Sequence, residues 1–82
     1  MKFFEKARRL IELDRYLREE STGSLGVLGE KLGISRAQMF IHLNALKEFG
    51  FPIVWNSQKQ SYIYSDPDLV EVRFPVIFKH KI

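Results

Sequence analysis

The chain of 82 residues carries thirteen Lys and Arg against ten Asp and Glu, for a formal charge of +3 and an isoelectric point near 9.4. Its mix of 45% hydrophobic, 28% charged and 13% aromatic residues fits one small globular domain, taken here as residues 1–82. With no Cys, a disulfide scaffold, a thiolate metal site and a cysteine nucleophile are excluded. The basic balance permits a polyanionic partner without concentrating charge in any one segment.

From Phe3 to about Glu20, apolar residues fall at Phe3, Ala7, Leu10, Ile11 and Leu17, close to helical spacing. The pairs Glu5/Arg9, Arg8/Glu12, Asp14/Arg18 and Arg15/Glu19 sit four apart and read as bridges on the solvent face. Ser21-Thr22-Gly23 breaks this first helix, and Ser24 caps a short second one over 25–32. Gly33 suits a left-handed helix end, and Ser35 caps a third helix over 36–49, with Met39, Leu43 and Leu46 as its inward stripe. Gly50 ends it.

Two β-rich runs follow, Ile53-Val54-Trp55-Asn56 and Ser61-Tyr62-Ile63-Tyr64, joined by a polar tip. Strand alternation turns Ile53, Trp55, Tyr62 and Tyr64 toward the helices and Val54 and Ile63 away from them. Asp66-Pro67-Asp68 reads as a turn, and Leu69–Phe74 alternates as a further strand, extended past Pro75 to residue 78. The expected class is therefore α+β, with three helices, a hairpin over about 53–64 and a C-terminal strand over about 69–78.

The run Leu28-Gly29-Glu30-Lys31-Leu32-Gly33-Ile34-Ser35 carries a more specific pattern. It continues through Leu43-Asn44-Ala45-Leu46-Lys47-Glu48-Phe49-Gly50-Phe51-Pro52-Ile53. Over roughly residues 9–65 the chain resembles the winged helix-turn-helix domains of biotin-repressor-like and DeoR-like regulators. That resemblance implies a sequence-specific duplex DNA-binding domain, a small transcription regulator whose third helix enters the major groove while the hairpin, or wing, touches the backbone.

By that resemblance Ser35 is the capping residue, Arg36, Gln38 and Asn44 read bases or adjacent phosphates, and Lys59 holds backbone, while Lys47 reads equally as a DNA contact or as a solubilising residue. The rest of the outward face is Ala37, Phe40 and Ile41, where the family commonly has polar residues or Tyr. Ala or Ile can meet a thymine methyl. The competing reading is a winged-helix protein-interaction module that uses Phe40 and Ile41, or the C-terminal strands, against a protein. The arginines Arg8, Arg9, Arg15 and Arg18 read either as phosphate contacts or as solvated partners of neighbouring carboxylates.

No enzyme is expected, because the sequence holds no nucleophile elbow, phosphate-cradling Gly loop or HExxH pattern. His42 and His80 stand apart without Cys companions, so no metal or cofactor is expected. Nor is a membrane partner. The first residues lack the apolar run of a secretory signal, and no segment has the ~18 apolar residues of a span, so a cytoplasmic location is expected. The apolar outer face of the hairpin, with Phe74, Ile77 and Phe78 beyond it, leads to a further expectation: a homodimer through the C-terminal strands and wing.

Overall fold

Helix ends set the architecture. The structure, a computed structural model, describes residues 2–73, with side chains from Arg8 to Val72. The order is α1 (Lys2–Glu19), α2 (Leu25–Leu32), α3 (Arg36–Glu48), β1 (Ile53–Asn56), β2 (Ser61–Tyr64) and α4 (Pro67–Arg73). It is an α+β arrangement in which three helices precede a two-stranded antiparallel hairpin and a short last helix.

Each break between helices has a local cause. The Ser24 hydroxyl accepts from the Val27 amide to open α2. Gly33, at φ 76°, closes α2, with the amides of Gly33 and Ile34 returning to the carbonyls of Glu30 and Gly29. Two residues after Gly33, Ser35 opens α3 with a reciprocal capping box. Its hydroxyl accepts from the Gln38 amide at 3.1 Å, and the Gln38 carbonyl oxygen accepts from the Ser35 amide at 3.2 Å. The turn between α2 and α3 is thus fixed on both sides. At the end of α1 the same helix-closing geometry falls on Glu20, a non-glycine residue at φ 58°.

The hairpin register pairs Ile53 with Tyr64, Val54 with Ile63, Trp55 with Tyr62, and Asn56 with Ser61. β2 is tied back to the α1–α2 connection by buried hydroxyls. The Thr22 amide donates to Ser61 Oγ at 3.0 Å, and the Tyr62 amide donates to Thr22 Oγ1 at 2.8 Å. That part of the β2 edge is satisfied within the chain.

The core gathers Leu13 and Leu17 of α1, Leu25, Leu28 and Leu32 of α2, and Met39 and Leu43 of α3 under Phe51, Ile53, Tyr64 and Val70. Leu46 is half-buried against it. Fully burying one such aliphatic chain contributes about 1.5–3 kcal/mol, so every layer of a domain this small counts. On α1 the inward stripe differs from the expected one, because Leu13 is buried and Ile11 is exposed. Asp14 also departs from its expected solvent-facing place, being 1% exposed. The pairs Arg8–Glu12 and Arg15–Glu19 do lie on the surface, at 3.6 and 3.3 Å.

The expected C-terminal strand is overturned where it can be seen. Residues 67–73 are helical, for a reason that lies in Asp66-Pro67-Asp68. Asp66 Oδ1 accepts from the Leu69 amide as an N-cap at 3.3 Å, and Pro67 takes the first helical position. Asp68 adds favourable negative charge in the first turn. Val70 then turns fully into the core while Val72 is left exposed. The remainder of that expected strand, including Phe74, Ile77 and Phe78, lies outside the described residues. Without a strand at 69–73, sheet extension no longer supports the expected dimer.

Among the described residues no helix is long and apolar enough to cross a membrane.

Candidate functional site

Because Met39 and Leu43 anchor α3 inward, the opposite face of the helix is free. Arg36, Ala37, Gln38, Phe40, Ile41 and Lys47 are all exposed, and Asn44 is half-buried. Phe40 and Ile41 reach 56% and 62% exposure, large values for apolar side chains in a small domain. Hydrogen-bonding capacity concentrates at the start of the helix. There Gln38 uses its carbonyl oxygen on the Ser35 amide, so its amide nitrogen is the part that can reach outward. Ser35 shapes the helix start through that box.

Arg36 belongs to a second grouping that sequence reasoning missed. With Ser24 and Leu25 at the start of α2, Phe40 on α3, and Trp55 and Tyr62 on the hairpin, it lines a cleft of about 380 Å³. Its Cδ packs beside Gly26 of α2. Trp55 and Tyr62 are cross-strand partners whose rings meet edge to face, with centroids 4.9 Å apart and planes at 66°. Strand parity does turn Trp55 toward the helices. The residue nevertheless stays 42% exposed, on the open side of the cleft. Only a three-dimensional arrangement could reveal this.

Lys59 does not join either group. Its Nζ lies 3.0 Å from Glu20 Oε1, pairing the hairpin loop with the end of α1. The loop itself is set by Asn56 Oδ1, which accepts from the Lys59 amide at 3.0 Å, and by Gln60 at φ 52°. Nor are all the α1 arginines free. Arg18 chelates both oxygens of Asp14 at 3.1 Å and reaches Glu71 of α4 at 3.4 Å.

That chelate is part of a buried network, also missed, in which Tyr64 donates to Asp14 Oδ1 at 2.7 Å. Arg18 sits 5.3 Å from the Tyr64 ring centroid. Burial, reinforced by the hydrogen bond to the Asp14 carboxylate and its charge, pushes the Tyr64 phenol far above its ordinary range. In that neutral form Tyr64 serves as a donor to the Asp14 carboxylate.

A further groove of about 420 Å³ runs between α1 and α3, with Leu10, Leu13, Met39 and Leu46 in its walls and Arg9 and His42 beside them. Among the described residues, no group of three or more His, Cys, Asp or Glu is placed to hold a metal.

Comparison with known proteins gives no match to any family model, curated protein or solved structure.

Proposed function

We propose that the chain is a winged helix-turn-helix domain that binds duplex DNA, with α3 in the major groove and the hairpin beside it. The observation that carries this reading is the double capping of the α2–α3 turn, by Gly33 on one side and the Ser35–Gln38 box on the other. It fixes a helix whose outward face is free and whose first turn offers Arg36 and Gln38. Recognition helices commonly read bases with their N-terminal residues, and Arg and Gln have the donor geometry for guanine and adenine edges. Lys47 lies on the Arg36 side of the helix, with Asn44 next to it. Ala37 and Ile41 supply apolar contact for thymine methyl groups.

The domain would act in transcription regulation as a compact reader of DNA. Selection of bound sequences from a random duplex pool tests the assignment. Enrichment of a defined motif supports it, and Arg36→Ala should then relax preference at one position at a cost of ~1–3 kcal/mol. Lys47→Ala, by contrast, should weaken all sequences alike, as a phosphate contact does. A pool that returns without enrichment contradicts sequence-specific binding.

A second reading is favoured by one observation, the exposure of Phe40 and Ile41 side by side on α3. In it the same face docks on a protein. Ile41→Ser distinguishes the two readings: it should weaken protein docking outright but change duplex binding only at thymine-containing positions.

A further inference from the structure

We infer that the cleft between α3 and the hairpin is a stacking site for an unpaired nucleobase, so that the domain favours DNA carrying a single-stranded segment beside its duplex. This rests on the reading of α3 as a DNA-binding face and names a second element of the ligand.

The lining is the argument. Trp55 is 42% exposed and is held by its strand and by its edge-to-face contact with Tyr62, so a ligand would find the ring already oriented. Phe40 faces the same space from α3, and Leu25 adds an apolar side chain to the wall. Arg36, Ser24 and Tyr62 are the polar members of the lining, and none of the six lining residues is acidic. Two exposed aromatic rings beside a cation suit a flat, apolar-faced group attached to an anion. A nucleotide of a single strand is that ligand. In a paired duplex the faces of the bases are stacked on one another and only their edges reach the grooves, so the cleft would gain nothing from blunt DNA. A base freed at an overhang can leave the stack and lie on Trp55 while its phosphate meets Arg36.

Trp55 is the single tryptophan of the chain, so its emission reports on the cleft directly. The experiment titrates the full chain with a blunt duplex, with the same duplex bearing a short thymidine overhang, and with the overhang strand alone. The overhang should quench Trp55 emission and tighten binding by about tenfold for one stacked base. Trp55→Leu should bring the overhang duplex down to the affinity of the blunt one. Phe40→Ala, at an exposed site, should reduce the same preference with the tryptophan still in place to report it.

Equal affinity for blunt and overhang duplexes, with no quenching by either, overturns the cleft assignment and leaves the duplex reading standing. Quenching by the overhang strand without any binding of blunt duplex supports the cleft assignment and overturns the duplex reading. A shift of Trp55 emission with protein concentration in the absence of DNA, matched by self-association in sedimentation, overturns the assignment in favour of a second copy covering the cleft.

Discussion

The Tyr64 hydroxyl donates a 2.7 Å hydrogen bond to Asp14 Oδ1, joining the hairpin to the first helix across a sequence separation of 50 residues. Arg18 completes the junction by holding both Asp14 oxygens and reaching on to Glu71 of α4. One carboxylate thus links α1 to β2 directly and to α4 through Arg18. Removing the phenol in Tyr64→Phe takes a charge-assisted bond from a buried carboxylate, which should cost about 1.5–3 kcal/mol in urea denaturation at neutral pH. The same bond has a pH signature. Tyr64 is raised above its ordinary value of 10.0, so the unfolded chain loses this proton first. The stabilisation is fully present below pH 10 and falls as pH rises above it. Wild type should therefore lose stability above that pH more steeply than Tyr64→Phe, and parallel curves would contradict the account.

The two valines of the last element separate a helix from a strand. Val70 is fully buried and Val72 lies in solvent, although alternation in a strand would place both on one face. Val70→Ala should cost ~1–3 kcal/mol, and Val72→Ala should stay within about 0.5 kcal/mol of wild type. Equal effects at the two sites would restore the strand.

Gly29 sets how closely α2 approaches the turn that follows it. A Cβ there would lie 2.8 Å from the Ile34 carbonyl oxygen and 3.3 Å from that of Ser35, and both are backbone atoms that cannot swing aside. Gly29→Ala should destabilise the domain by ~1–3 kcal/mol, despite the roughly 0.5–1 kcal/mol that alanine gains in a helix interior. Chemical denaturation showing a more stable variant would contradict this.

What the sequence makes legible follows from where each cause lies. The ends of α2 and α3 depend on Ser24, Gly33, Ser35 and Gly50, whose effects act within a turn of chain, and these were readable. The last helix was not, because Asp66-Pro67-Asp68 serves equally as a turn or as an N-cap followed by a first-turn proline. Only the core site waiting for Val70 decides between them. Asp14 and Arg18, four apart on α1, carry the pattern of a surface pair. Their burial depends on Tyr64, far along the chain. Trp55 has the inward parity expected of it, yet its exposure depends on how closely α2 and α3 pack against the hairpin, which alternation does not report.

Glu20 holds Lys59 at 3.0 Å and so competes with any phosphate for the one cation of the hairpin loop. Glu20→Gln should raise affinity for duplex DNA and steepen its dependence on salt by about 0.9 in the log–log slope, the increment for one added phosphate contact. Fluorescence anisotropy across a salt series reads both. An unchanged slope would remove Lys59 from the interface.

The central claim, that α3 and its flanking cations engage duplex DNA, is tested most directly by anisotropy of the wild-type chain with a mixed-sequence duplex pool over a range of salt. Neutralisation of two or three phosphates predicts a log–log slope of about −1.8 to −2.7, with Lys47→Ala making it shallower. Absence of binding even at about 50 mM salt, or an affinity indifferent to salt, would contradict it.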